Sequence, residues 1–143
     1  MCDRILAIDY GRKRIGLARS DELCTIAIPL EALDNSNSTL EQIVKIVKET
    51  GIKKILIGIP RRISGEEGEL AEEIREFARS LEEKLQSVKI IFWDESLTSK
   101  EAEKIFIQKY KRLPVRQRDK KVVDSYAAAI MLEEYLNAIK GEF

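Results

Sequence analysis

The apolar positions change their period along the chain, and each change marks an element. Ile5-Leu6-Ala7-Ile8 is a short apolar run that leads straight into Asp9-Tyr10-Gly11, the pattern of a strand followed by a turn. Ile15-Gly16-Leu17-Ala18 has strand character, and Cys24 to Leu30 suggests a third short strand. The short connections favour an antiparallel meander. Gly16 weakens its strand, which points to a crowded backbone approach or a bulge. A helical period then takes over, with Leu40, Ile43, Val44 and Val47 on one face, Ser38 and Glu41 at capping-box spacing, and Gly51 as the stop. Lys54 to Pro60 is nearly all apolar, as suits a central strand covered on both faces.

From about Glu67 to Leu85 the stripe Leu70, Ile74, Phe77, Leu81 and Leu85 returns to helical spacing, with acids crowding its start. Val88 to Trp93 is another strand and delivers Asp94-Glu95 at its end. Thr98 and Glu101 open a short helix through Ile105 and Phe106. After a basic, proline-broken segment, a last helix runs from about Val122 to Leu136. The order is three short strands, helix, strand, helix, strand and two helices. One α/β domain over residues 1–143, a mixed five-stranded sheet with helices on both faces, accommodates it.

Composition narrows the chemistry. The chain has 143 residues, enough for one substantial core. Lys+Arg and Asp+Glu are each 25, so any pull toward nucleic acid must come from local patches rather than net charge. There is no histidine, which removes Ser-His-Asp and Cys-His catalysis and the histidine-ligated zinc sites of metallohydrolases. Hydrolysis would need carboxylates with a hard metal, or a lysine. Cys2 and Cys24 have no metal-site spacing. With no signal peptide or long apolar run, a reduced, cytoplasmic protein without membrane attachment is expected.

Three acids stand where α/β folds gather functional groups. Asp9 ends the first strand, Glu95 follows the last, and Asp124 lies near the start of the last helix. Together they could hold Mg²⁺ or Mn²⁺ through oxygen and support phosphodiester hydrolysis by activating water and stabilising the leaving oxygen. Each has a plainer reading. Asp9 is also a common turn former, Asp94 competes with Glu95, and Asp124 could simply charge-stabilise its helix.

Lys109, Lys111, Arg112, Arg116, Arg118, Lys120 and Lys121 stand in thirteen residues opposed only by Asp119. Arg12, Lys13, Arg14 and Arg19 form a second basic cluster beside the Asp9 turn. Either could be a solvated surface; flanking a carboxylate set, both become candidates for holding phosphates. Gly58-Ile59-Pro60 followed by Arg61 and Arg62 could form a rim, but it lacks the G-x-x-x-x-G-K-[ST] arrangement of a P-loop. Trp93 suits core packing; Tyr10 is the better candidate for stacking on a base.

The blocks Ile8-Asp9-Tyr10-Gly11, Arg14-Ile15-Gly16-Leu17-Ala18, Gly58-Ile59-Pro60 with Gly65, Asp94-Glu95-Ser96-Leu97-Thr98 and Lys121-Val122-Val123-Asp124-Ser125-Tyr126-Ala127-Ala128 occur in an order that resembles the YqgF/RuvX family. These proteins are described as Holliday-junction resolvases and as nucleases maturing the 5′ end of pre-16S ribosomal RNA. The resemblance implies a ribonuclease H-like fold, with Asp9, Glu95 and Asp124 as metal ligands, Lys121 as a phosphate contact and Arg14 as part of the same surface. It implies a metal-dependent endonuclease acting on pre-16S rRNA, associated with a ribosomal precursor. The alternatives are a resolvase of branched DNA and a non-catalytic nucleic-acid- or ribosome-binding protein, as a monomer or a homodimer. The chain departs from the family in having Ser96 where arginine is usual, and a more basic Arg61–Gly65 loop. Better-studied resolvases of this fold also carry an acid where Gly58 stands. Sugar kinases and actin-like ATPases share the Asp-x-Gly turn but need two lobes, more than this chain can supply.

Overall fold

A computed structural model of the chain describes residues 3–60, 68–95, 104–105, 107–108 and 120–140. Six strands form one mixed sheet: β1 (Ile5–Asp9), β2 (Arg14–Ser20), β3 (Ala27–Pro29), β4 (Leu33–Asp34), β5 (Lys54–Pro60) and β6 (Lys89–Glu95). The helices are α1 (Thr39–Thr50), α2 (Glu69–Lys84), α3 (Lys120–Val123) and α4 (Tyr126–Lys140). The principal strand order is β3-β2-β1-β5-β6, with β4 also on β2. β1, β5 and β6 are parallel, and β2 runs antiparallel to β1, β3 and β4.

The expected five strands become six because the third strand is interrupted. Only Ala27–Pro29 pairs with one end of β2, and Leu33–Asp34 then pairs with the other. A two-residue strand is too short for a period of two to reveal. Residues 104, 105, 107 and 108 are helical where the short helix was expected; its Thr98–Glu101 capping pair lies outside the described residues.

Alternation along the strands builds two cores. Leu6, Ile8, Ile15, Leu17, Ile55 and Ile57 meet Ile43 and Val47 of α1 and Ile74, Ala78 and Leu81 of α2. On the other face, Ile5, Ala7, Ala18 and Leu56 meet Ala128, Ala129, Met131, Leu132 and Leu136 of α4. The alanines bring α4 close to the sheet. β5 is buried from Ile55 through Ile59, as its apolar run predicts.

Gly51 ends α1 in the left-handed conformation at φ 68°, and its N–H reaches the Val47 carbonyl. The Ser38–Glu41 capping box does not form. The Ser38 side chain makes no cap bond, while the Lys84 ammonium donates to the Glu41 carboxylate at 2.9 Å. Thr39, almost wholly buried, organises this entry instead. Its hydroxyl donates to the Asp34 carbonyl at 2.7 Å and accepts the Ser36 N–H at 2.8 Å.

Candidate active site

The carboxyl ends of β1, β5 and β6 share one edge of the sheet, and two of the predicted acids meet there through Gly16. Asp9 pairs with Gly16 across the β1–β2 ladder. On the helix side, a Cβ at Gly16 would stand 2.7 Å from the Asp124 carbonyl oxygen and 3.3 Å from Ser125 Cα. The crowded backbone approach expected at Gly16 is therefore the seat of the α3–α4 junction. The expected continuous helix is broken at this junction. Ser125 N–H donates to Val122 O at 2.9 Å, Ala129 N–H returns to Ser125 O at 3.0 Å, and α4 begins at Tyr126. The fully buried Ser125 hydroxyl accepts the Leu17 N–H at 2.9 Å, filling a gap in the β2 ladder between β3 and β4.

Asp124 is consequently held at the mouth of the α4 layer. Arg14 Nη1 donates to its Oδ2 at 2.7 Å, and Arg14 Nε lies 4.0 Å from Asp34 Oδ1. These side chains line an open cleft of about 630 Å³ with Glu31, Ser36, Ser38 and Gln42. Asp9 differs from both acids. It is half-buried, on the α4 side by alternation with Ile5 and Ala7, and among the described residues no hydrogen bond or ion pair engages its carboxylate. An unpartnered half-buried carboxylate, across the ladder from the glycine against which the Asp124 backbone packs, in a chain without histidine, fits a hard divalent cation. Among the described residues no three acidic or thiol side chains converge, and the Glu95 side chain lies outside them.

A family model described as "RuvX: Holliday junction resolvase" matches residues 3–138. The chain belongs to the RuvX family. A relative named "Putative pre-16S rRNA nuclease" in Sulfurihydrogenibium sp. is 40% identical over 137 residues, spanning 95% of this chain and 91% of the relative. One of the same name in Syntrophus aciditrophicus is 42% identical over 141 residues, spanning 97% and 91%. Among solved structures, Thermus thermophilus RuvC in complex with a Holliday junction matches with a TM-score of 0.62 at 15% identity, over 98% of this chain and 97% of that one. The fowlpox virus resolvase bound to Holliday junction DNA gives 0.63 at 13% identity, over 95% and 98%. The fold is thus the ribonuclease H-like one shared with these resolvases.

The remaining candidates of this RuvX chain are sorted by the pleat. Asp94 has the phase of Ile90, which packs in the α1/α2 core, and of Phe92, whose ring lies 5.3 Å from the Arg75 guanidinium. It therefore sits on the face opposite Asp9. The register position of Glu95 has the phase of Ile91 and Trp93, both packed on the α4 side. Its backbone ends β6 opposite Pro60.

Of the basic cluster beside the Asp9 turn, Arg12 forms a long 3.5 Å ion pair with Glu73, Lys13 is exposed, and Arg14 holds Asp124. Arg19 does not belong to it. Five residues along β2 carry it roughly 16 Å from Arg14, opposite Leu6. Arg61, Arg62, Arg112, Arg116 and Arg118 lie outside the described residues, as do the side chains of Lys120 and Lys121.

Tyr10 is not an open stacking platform. Its ring packs 5.2 Å from Phe77 at the rim of the first core, because it follows the phase of Leu6 and Ile8. Trp93 meets Tyr135 edge-on at 5.3 Å and belongs to the second core, as expected. Its indole also bonds Glu134, whose carboxyl is pushed above its ordinary value because burial outweighs that bond. No described helix is long and apolar enough to cross a membrane.

Sequence reasoning missed Asp34 and Ser125. Asp34 reaches the site only through the two-residue β4. Ser125 stood beside a named acid, but nothing in its spacing signals a strand partner 108 residues away.

Proposed function

We propose that this chain is a divalent-metal-dependent endonuclease that trims the 5′ end of pre-16S ribosomal RNA in the cytoplasm. The observation that carries the reading is the pairing of Asp9, half-buried and unpartnered among the described residues, with Asp124 across the bare backbone of Gly16. Asp9, Asp124 and Glu95 would hold Mg²⁺ or Mn²⁺, with Glu95 preferred to Asp94 because its register position shares the Asp9 face. Bound there, the ion would supply charge neutralisation at a phosphodiester and lower the cost of deprotonating water. The chain's own part is positional. Arg14 offers positive charge at the cleft, and Arg12 and Lys13 lie at the adjoining turn. Lys121, Lys120, Arg112, Arg116, Arg118, Arg61 and Arg62 are the further cations proposed to track the phosphate backbone.

Ribosomal RNA as substrate is supported by the names of the relatives, and association with a ribosomal precursor follows from it. The family description supports a second reading, cleavage of branched DNA, for which paired cuts would call for a homodimer rather than a monomer. Product mapping on a pre-16S 5′-leader RNA and a four-way DNA junction, with Mg²⁺, Mn²⁺ or chelator, separates the two. Metal-dependent RNA cutting that is lost in Asp9→Asn, with the junction spared, is the expected result. Selective paired cuts in the junction would transfer the assignment to the resolvase reading. Tight binding without cleavage of either would favour a non-catalytic binding protein.

A further inference from the structure

We infer that Arg14 is a two-position counter-ion which holds Asp124 in the metal-free protein and is taken up by Asp34 when Asp124 binds its ion. The inference rests on the metal site proposed above and adds to it the group that controls access to that site. Arg14 and Asp34 are direct partners in the β2–β4 ladder, so their side chains issue from neighbouring strands at the same level. The guanidinium uses Nη1 for Asp124 at 2.7 Å, while Nε, on its other edge, lies 4.0 Å from Asp34 Oδ1. A small rotation about the arginine stem would exchange the close partner for the distant one without moving either strand.

Asp34 is well built for the second position. Its backbone carbonyl accepts the buried Thr39 hydroxyl at 2.7 Å. The next residue is tied by Asn35 N–H to Lys13 O at 2.9 Å and by Asn35 Nδ2 to Gly11 O at 2.8 Å. The carboxylate itself remains 90% exposed. A rigid backbone thus carries an exposed acid, only loosely paired with Arg14, at the lip of the cleft, one side chain away from the proposed ligand. A two-residue strand adds little to the sheet, but it sets Asp34 opposite Arg14.

Both bridges are solvent-exposed, so the competition is modest: a surface pair changes an equilibrium by about two- to fivefold. Calorimetric titration of Mn²⁺ into the whole protein, without nucleic acid, reads it directly. Arg14→Gln is expected to tighten Mn²⁺ by about two- to fivefold, because Asp124 no longer has a resident partner. Asp34→Asn is expected to weaken Mn²⁺ in the wild-type background and to have no effect in the Arg14→Gln background. If Asp34 acted only as one more negative charge near a cation, the loss would be equal in both backgrounds, and the two-position role would be overturned. Unchanged Mn²⁺ affinity in Arg14→Gln would overturn it as well. Asp124→Asn in the same titration keeps the two ideas apart. If it leaves Mn²⁺ binding intact, the metal site itself is misassigned; if it abolishes binding while Arg14→Gln does nothing, only the counter-ion role fails.

Discussion

The Ser125 hydroxyl accepts the Leu17 amide at 2.9 Å in a fully buried position, so a side chain from the last helical segment completes the hydrogen bonding of the second strand. Leu17 O on the same edge receives Leu30 N–H at 2.8 Å, just beyond the end of β3. Without the serine, the Leu17 N–H would face the second core with no acceptor among the described residues. The bond also fixes the residue after Asp124, which makes it a structural support of the proposed site. Ser125→Ala should cost about 1–3 kcal/mol, the usual consequence of stranding a buried donor. Denaturant unfolding would measure the loss, and faster hydrogen exchange at the Leu17 amide would locate it. An unchanged midpoint would mean that another acceptor, or water, reaches that amide.

Gly16 is constrained by space rather than by its torsions. An added methyl group would stand 2.7 Å from the Asp124 carbonyl, a backbone atom that cannot swing aside. Gly16→Ala should therefore destabilise the fold by about 1–3 kcal/mol, the range for overpacking. It should also weaken metal-dependent cleavage by displacing the Asp124 segment. Ser20→Ala, which removes a buried acceptor of Ile5 N–H elsewhere on the same strand, should lower stability with little change in cleavage by the folded fraction. Equal cleavage by folded Gly16→Ala and Ser20→Ala would detach Gly16 from the site.

Much of this architecture was legible because its signals are local. The apolar run of β5, the stripe of α2 and the Gly51 stop each depend on neighbours in the chain, and each appears where the pattern puts it. The crowding at Gly16 was legible too, as an unexplained glycine inside a strand. What stayed hidden depends on distant partners. The Ser38–Glu41 spacing is a sound local signal, yet Lys84 claims Glu41 and buried Thr39 organises the turn. Tyr10 and Arg19 illustrate strand geometry overriding proximity in sequence. Tyr10 follows the pleat into the first core, and Arg19 is carried to the far end of β2. The ion pair of Arg14 with Asp124 spans 110 residues, and no spacing rule reaches that far.

Glu134 gives a prediction in pH. Burial raises its carboxyl above the ordinary value of 4.5, and the bond from the Trp93 indole only partly offsets this. The folded protein therefore holds that proton more tightly than the unfolded chain does. The resulting stability is fully present below the unfolded value and is lost as pH rises through the folded one. At about pH 7 the ionised group opposes folding, and Glu134→Gln should remove the penalty while keeping an oxygen for the indole. The variant should show a higher Tm than wild type at neutral pH, with the difference closing as the pH falls below 4.5. A gap that stays constant across that range would assign the effect to packing instead.

Asp9 should show the separate demands of folding and function. Its carboxylate is half-buried with no partner among the described residues, so Asp9→Asn removes no observed hydrogen bond or ion pair. The metal-free variant should be about as stable as wild type, since no observed contact is lost. Under Mn²⁺ the two should separate. An ion that binds only the folded state raises Tm with concentration, and Asn offers a weaker donor set for a hard cation. Thermal unfolding with and without Mn²⁺ thus tests the site without any substrate. A concentration-dependent rise in wild type that is absent in Asp9→Asn is expected. The same rise in both proteins would remove Asp9 from the ligand set, and a large loss of stability without metal would mean that the carboxylate has a structural partner after all.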